Sequence, residues 1–205
     1  MAYSLSPIYS RFKLEVVELN RIINTLENKP VSLERDTHIE GCFIRFVVSW
    51  EVFSEEYFLR CLCGGRNRSK YEIKPQVTSF RNLNDAFKKV NVNRRDREKD
   101  YLDWLDASTV KTRINDYFRA NSRVQLLSES PDKLFEIQVI RNAVAHRSTN
   151  AMYRFEKFVK DQLGYLSTLD PTMADLLIMK RRRNSKCIFL VYSEYFLDLA
   201  DRLTK

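Results

Sequence analysis

The chain has 205 residues, of which 44% are hydrophobic and 30% are charged, and its formal net charge is +8. No apolar run reaches the roughly 18 residues that a membrane-spanning helix needs, so we expect no membrane association. The first residues contain no basic segment followed by an apolar one, so we expect no signal peptide and a cytoplasmic chain with reduced thiols. A basic surface attracts polyanions, of which nucleic acid is the commonest inside a cell, although a protein can be basic without binding one.

Glycine and proline are scarce, with four and five residues, and apolar residues recur mostly at the spacing of a helix. These features predict an all-α protein. The length is typical of one domain or of a domain with an insertion. We therefore predict a single domain over residues 1–205 with a helical insertion at about 66–130. Its predicted core helices lie at about 7–28, 37–63, 131–147, 151–164 and 192–204.

The longest apolar segment, residues 37–63, predicts the central core helix, which Asp36 or Thr37 can cap. Its second half carries acids, and Glu51 and Glu55 are spaced so that they share one helix face. Two interpretations remain open for these glutamates. They form a solvated stripe, or one of them faces a functional site and orients its basic residues.

The insertion begins with a basic loop and continues with short helical patterns. A run of mixed charge between two of these patterns predicts a solvated helix face or a loop. The loop is expected at residues 66–78, the helical patterns at about 80–90, 101–105 and 110–118, and the charge run at 93–100.

Near the end of the chain, Asp170, Pro171 and Thr172 precede a short helical pattern that extends through Ile178. The β-branched and aromatic run at residues 187–191 predicts a short strand. Ser193 then has the position of an N-cap for the last helix.

The four cysteines do not have the spacing of a zinc site. If residues 38–63 form one helix, Cys42 and Cys61 lie about 28 Å apart and cannot share an ion. No Cys-x-x-Cys pair is present. We therefore expect no metal and no cofactor.

One helix gathers an unusual density of reactive side chains. Ser130 and Pro131 are typical of a helix start, and the helix that follows carries Arg141, Asn142 and His146 within six residues. Histidine can transfer protons near neutral pH. The arginine fork stays charged and can bind two phosphate oxygens, while asparagine can hold an imidazole in one tautomer. These residue types match the needs of metal-free RNA cleavage.

The spacing also limits this hypothesis. Arg141 and His146 are about 140° apart around an ideal helix, so only one of them points straight at a given phosphate. One histidine is also few for a reaction that needs both a base and an acid. A symmetric dimer that places two such helices side by side solves both problems. The alternative is that His146 is a favourable cation at the helix C-terminus and that Arg141 is solvated.

The segment Arg141-Asn142-Ala143-Val144-Ala145-His146 resembles the Arg-x(4–6)-His motif of the HEPN superfamily, the higher eukaryotes and prokaryotes nucleotide-binding domains. This resemblance implies an up-and-down four-helix core, and metal-independent endoribonuclease activity, often in a homodimer with both motifs at the interface. It implies Arg141 and His146 as the catalytic pair, with Asn142 as an auxiliary residue. The resemblance also implies that Glu51 or Glu55 matches a polar residue that some members carry on an earlier helix.

Two basic clusters are candidates for gripping RNA, because each phosphate contact adds affinity. For both, RNA contact and simple solvation remain open. Tyr71 and Phe80 lie near one of them and can stack on unpaired bases. Arg147 is a candidate because it follows the histidine directly. The clusters are Arg66 to Lys70 and the run of Lys180, Arg181, Arg182 and Arg183.

These observations predict an endoribonuclease that uses the 2′-hydroxyl as nucleophile and leaves a 2′,3′-cyclic phosphate. Members of the family often act as toxins or as antiviral, abortive-infection effectors, so an antitoxin or defence-system protein is a possible partner. The alternatives are a non-catalytic module that binds a nucleotide, RNA or protein, and a helical adaptor in which the motif is accidental.

Overall fold

The computed structural model describes residues 3–92, 103–163, 172–180 and 186–205. Helices are the regular secondary structure of these residues, which confirms the all-α prediction. None of the described helices has the length and apolar composition needed to span a membrane. The helices are α1 (Ser6–Leu26), α2 (Leu33–Leu62), α3 (Leu83–Val92), α4 (Ala107–Tyr117), a 3₁₀ helix (Arg123–Ser128), α5 (Pro131–His146), α6 (Thr149–Leu163), α7 (Met173–Ile178) and α8 (Ile188–Thr204).

Helices α1 and α2 form an antiparallel hairpin. Arg11 near the start of α1 pairs with Glu56 near the end of α2 at 3.0 Å. Glu15, one turn later in α1, pairs with Arg45, which lies earlier in α2. The reversed order of these pairs fixes the direction of the two helices. Their apolar faces then meet along most of the length of α1.

Helix α2 begins four residues before the predicted boundary. Its N-cap is Ser32, whose hydroxyl accepts a hydrogen bond from the Arg35 amide at 3.1 Å. The prediction of Asp36 or Thr37 as the cap is therefore wrong. A serine N-cap does not need the acid three residues later that completes a capping box, and the absence of that acid hid the true start.

The core is built around aromatic side chains of α2. The Trp50 ring lies 5.9 Å from that of Phe12 on α1, 5.6 Å from Phe53 and 4.6 Å from Phe196 on α8. All four side chains are almost fully buried. Aromatic pairs at these separations add to the free energy gained by burial. Helix α2 is thus the central helix, as its apolar sequence predicted.

The predicted strand at residues 187–191 is wrong, because helix α8 begins at Ile188. Cys187 is the N-cap and forms only an isolated bridge with Lys180. The apolar run continues the buried face of α8 through Tyr192, so burial overrides the local preference for a strand. Ser193 lies inside the helix, and its hydroxyl donates to the Asn20 amide oxygen at 2.7 Å.

The insertion shares the core of α2. Phe58 on α2 contacts the rings of Trp104, Tyr117 and Phe118 at 5.3–6.0 Å. The charge run at 93–100 and residues 101 and 102 lie outside the described residues. The predicted helical pattern at 101–105 is not helical from residue 103 onward.

The Asp103 carboxylate explains this difference. It accepts hydrogen bonds from the amides of Leu105 and Asp106, and Asp106 then caps α4. Local bonds of this kind favour a turn over a helix.

The remaining segments follow the predicted order. Residues 66–78 contain no helix and are held to the chain start by an isolated bridge between Arg66 and Ser4. Helix α7 starts after Thr172, the last residue of the predicted opening, which forms a capping box with Asp175. Residues 170 and 171 of that opening lie outside the described part of the chain.

Replacing Trp50 by alanine is expected to lower the free energy of unfolding by about 3–5 kcal/mol, because it leaves a large cavity among buried rings. Urea denaturation followed by circular dichroism measures this change. The matched control is Leu14→Ala on α1, since Leu14 is 72% exposed. The control should stay within about 0.5 kcal/mol of the wild type. Equal losses in the two variants would contradict a core centred on Trp50.

Candidate functional site

Helix α5 carries the Arg-Asn-x-x-x-His segment and begins at Pro131, as predicted. The Ser130 hydroxyl does not cap the helix; it forms a hydrogen bond with the Tyr195 hydroxyl of α8. At the other end, Arg147 adopts the left-handed conformation at φ 44°, and its amide donates to the Ala143 carbonyl at 3.1 Å. This turn ends the helix at His146.

A buried polar contact fixes α5 against α8. The Glu136 carboxylate, only 8% exposed, accepts hydrogen bonds from the Tyr192 hydroxyl and the Lys133 ammonium, both at 2.8 Å. A buried carboxylate is tolerated where donors satisfy it. The bond from Tyr192 ties this turn of α5 to α8, whereas the bond from Lys133 lies within α5 and helps to satisfy the carboxylate.

Arg141 is half-buried on the side of α5 that faces α2. One guanidinium nitrogen donates to the Asn142 side-chain oxygen at 3.0 Å. The predicted role for Asn142 was to hold the imidazole, but this oxygen is engaged by Arg141 instead. The Arg141 charge also acts on the Glu51 carboxyl of α2. The structure thus brings together Arg141, Asn142 and one of the two predicted glutamates.

Several groups act on the Glu51 carboxyl, and their net effect raises its pKa above the usual value. Burial raises the pKa most, because it disfavours the charged form. The Arg141 cation opposes this effect and lowers the pKa, whereas the neighbouring Asp103 and Glu55 carboxylates raise it. Glu51 therefore takes up a proton at a higher pH than an exposed glutamate does.

Asp103 is a member of this cluster that the sequence did not indicate. It lies in the insertion, far along the chain from both α2 and α5, and its backbone and side chain organise the turn before α4. Because no local pattern links Asp103 to Glu51, only the folded chain reveals their proximity.

His146 is the last residue of α5 and its side chain is exposed. In the part of the chain that the structure describes, no hydrogen bond to its ring is present. Arg141 faces α2 while His146 faces solvent, which agrees with their spacing on an ideal helix. The two side chains thus differ in exposure, with Arg141 half-buried and His146 exposed.

Two of the predicted RNA-binding cations have carboxylate partners. Arg147 pairs at 2.7 Å with Glu40 of α2, whose side chain is almost buried. Lys180 pairs at 2.5 Å with Glu27 at the end of α1. These contacts fasten α5 and the α7–α8 connection to the first two helices. Arg181, Arg182 and Arg183 lie outside the described residues.

The second basic cluster is only partly engaged. Arg68 pairs with Asp201 at 2.6 Å and lies over the Tyr9 ring. Tyr71 is 74% exposed, whereas Phe80 packs against the core. Of the two aromatic residues predicted to stack on bases, Tyr71 is exposed and Phe80 is partly buried.

Metal-binding chemistry has little support in the described residues. They contain no group of three or more His, Cys, Asp or Glu side chains that could hold an ion. All four cysteines are free and buried. Burial raises the thiol pKa of Cys61 far above its usual range, which keeps this sulfur protonated and unreactive.

Comparison with models of known protein families, with curated proteins and with solved structures finds no match to this chain. The interpretation of the site therefore depends on its own residues and geometry.

Replacing Glu51 by glutamine is expected to stabilise the protein at pH 7. The folded-state pKa of Glu51 is raised, so the folded chain binds more protons than the unfolded chain above the usual glutamate pKa of about 4.3. Stability then falls as pH rises through the interval between these two pKa values. The gain in melting temperature should be present at pH 7 and should disappear below about pH 4.

Thermal unfolding across this pH range measures the effect. The matched control is Glu156→Gln, because Glu156 is exposed on α6. A lower melting temperature for Glu51→Gln than for the control at pH 7 would contradict the assigned environment of Glu51.

Proposed function

We propose that the protein is a metal-independent endoribonuclease of the HEPN type, with a four-helix core and its active site at Arg141 to His146. The supporting observation is the placement of Arg141. A half-buried guanidinium is held by a hydrogen bond to a neighbouring amide and interacts electrostatically with the Glu51 carboxyl, on a helix that ends in an exposed histidine. A positioned cation and an accessible proton-transfer group on successive turns of one helix are residue types that phosphoryl transfer needs.

In the proposed reaction, the 2′-oxygen of the substrate attacks the adjacent phosphorus while the bond from phosphorus to the 5′-oxygen breaks. A base takes the 2′-hydroxyl proton, and an acid gives a proton to the leaving 5′-oxygen. His146 performs one of these transfers. Arg141 stabilises the negative charge that develops on the non-bridging oxygens. The products are a 2′,3′-cyclic phosphate and a free 5′-hydroxyl.

Asn142 and Glu51 act through Arg141 in this proposal. The Asn142 amide oxygen accepts a hydrogen bond from the guanidinium, and the Glu51 carboxyl interacts with it electrostatically, which limits the conformational entropy that the guanidinium loses when a phosphate binds. Burial, together with the smaller effects of the Asp103 and Glu55 carboxylates, raises the pKa of Glu51.

The proposal includes a homodimer with both motifs at the interface. Within one chain Arg141 is half-buried and acts on Glu51 of α2, whereas His146 is exposed at the end of α5. A two-fold axis near the end of α5 lets the arginine of one chain and the histidine of its partner face one phosphate. Use as a toxin or an abortive-infection effector, with an antitoxin or defence-system protein as a further partner, is part of the proposal.

Removing either member of the pair is expected to abolish RNA cleavage measured in excess EDTA. His146→Ala removes a proton-transfer group and should lower kcat by about 10²–10⁴-fold. Arg141→Ala should lower it by about 10²–10³-fold, because the developing charge loses its stabilising donor. The readout is the appearance of 2′,3′-cyclic phosphate ends on a labelled RNA.

The chain offers a matched control in His38→Ala, because His38 is its only other histidine and is exposed on α2. This variant should retain full activity. Full cleavage by His146→Ala would exclude the mechanism. Unimpaired RNA binding without cleavage in the wild type would favour the non-catalytic module.

Subunit mixing tests the dimer. Arg141→Ala and His146→Ala chains are each inactive, but a mixed dimer contains one site with an intact arginine from one chain and an intact histidine from the other. Random mixing of equal amounts should restore about a quarter of the wild-type activity if each site draws on both chains.

The measurement is a cleavage assay after the two variants are unfolded and refolded together. Each variant refolded alone is the control. No recovery, in samples that light scattering shows to be dimeric, would exclude a site shared in this way.

A further inference from the structure

The outward face of α6 combines an exposed aromatic ring with three cations. Tyr153 is 65% exposed, and Arg154, Lys157 and Lys160 are exposed on the same helix. Their spacing of one, four and seven residues from Tyr153 places all four on one side of the helix. This set is called the α6 basic face below.

Packing fixes the direction of this face. The opposite side of α6 is buried through Ala151, Phe155, Phe158 and Val159. The helix start is held by the Ser148 hydroxyl, which accepts a hydrogen bond from the Ala151 amide at 3.3 Å. Helix α6 cannot rotate without exposing these apolar side chains, so the α6 basic face remains in solvent.

The cations of the α6 basic face differ from those that the sequence singled out. Arg68, Arg147 and Lys180 each pair with a carboxylate. Within the described residues, no ion pair includes a cation of the α6 basic face. Two exposed acids, Glu156 and Asp161, lie on the same helix and leave the face with a net positive charge. Its cations are thus available to an anionic partner.

The face begins close to the proposed catalytic histidine. Helix α6 starts at Thr149, after the short turn that follows His146, and packs back against α5. Tyr153 and Arg154 are therefore about one helical turn from the start of α6, and Lys160 is about 10 Å further along.

We infer that the α6 basic face binds the single-stranded RNA substrate. Arg154, Lys157 and Lys160 contact successive phosphates, and Tyr153 stacks on an unpaired base. This inference rests on the proposed function, since it assigns the RNA-binding surface of the same site. A single strand is the expected form because a stacking ring needs a base that is not paired.

The test measures binding without cleavage. The protein is the His146→Ala variant, so that the RNA is not cleaved. Fluorescence anisotropy measures its affinity for fluorescein-labelled 16-nucleotide oligouridylate and oligoadenylate over a range of salt concentrations. Adding Arg154→Gln, Lys157→Gln and Lys160→Gln should reduce the slope of log K against log salt by about 2, because each phosphate contact on a single strand contributes about 0.7. The exposed positions make loss of folding unexpected, and circular dichroism checks it.

The matched control removes three charges elsewhere on the surface. Lys88→Gln, Lys89→Gln and Lys111→Gln change exposed lysines of α3 and α4 and give the same net charge. In this control the slope of log K against log salt should change by less than half the change seen in the α6 triple variant. An equal change in the two triple variants would overturn the inference, because it would show attraction to the overall charge only.

The tyrosine is tested separately. Tyr153→Ala should weaken binding about 5- to 150-fold, the equivalent of one lost base stack, while Tyr153→Phe should keep wild-type affinity. Unchanged affinity in Tyr153→Ala, or no measurable RNA binding by the parent protein, would overturn the inference.

Failure of the inference and failure of the proposed function are distinguishable. If the wild type cleaves no RNA, but the α6 substitutions weaken RNA binding, the result contradicts the proposed function alone. If the wild type cleaves RNA, but the α6 substitutions leave RNA binding unchanged, the result contradicts only the role inferred for the α6 basic face.

Discussion

The charged contacts between α2 and α5 are the constraint on which the site depends. Helix α2 carries Glu40 and Glu51 about three turns apart on the side that α5 covers. Carboxylates on a covered face cost free energy unless cations compensate them. Arg147, directly after the end of α5, pairs with Glu40, and Arg141 partly offsets the effect of burial on Glu51. The same contacts determine where the Arg-Asn-x-x-x-His segment points.

This double role gives Arg141 a mixed phenotype. Removing its charge leaves Glu51 with burial and two like charges, all of which raise the pKa of its carboxyl. Loss of activity in an Arg141 variant can therefore come from chemistry or from a weakened α2–α5 contact. The combination of Arg141→Gln with Glu51→Gln separates the two causes, because it removes the uncompensated acid while the proposed phosphate-binding cation stays absent.

Much of the fold was predictable because its signals are local. Pro131 marks the start of α5, and the glycines at 64 and 65 follow the end of α2, so both boundaries came out close to the structure. The strand predicted at residues 187–191 was wrong because β-branched residues fit a buried helix face equally well once neighbours cover it. The start of α2 was missed because Ser32 caps without the acid that usually makes such a cap visible.

The site was predictable in its chemistry but not in its contacts. The types and spacing of Arg141, Asn142 and His146 could be recognised within one helix. Asp103 could not be linked to Glu51 from sequence, because the fold alone brings the insertion to α2. The partners of the predicted RNA-binding cations could not be predicted either. A cluster of lysines and arginines in the sequence does not reveal the acids that pair with Arg147 and Lys180 in the fold.

Helices α5 and α6 have different electrostatic surroundings, and this difference suits the roles proposed for them. Arg141 on α5 is half-buried, where charges interact strongly and salt screens them little. The cations of the α6 basic face are exposed, where each interaction is weak and sensitive to salt. Weak exposed contacts can attract and release an RNA chain quickly, whereas a fixed and partly buried cation can stabilise charge that appears only in the transition state. The two-residue turn after His146 connects α5 to α6. The proposed substrate path therefore leads from the exposed face of α6 to the partly buried Arg141 of α5.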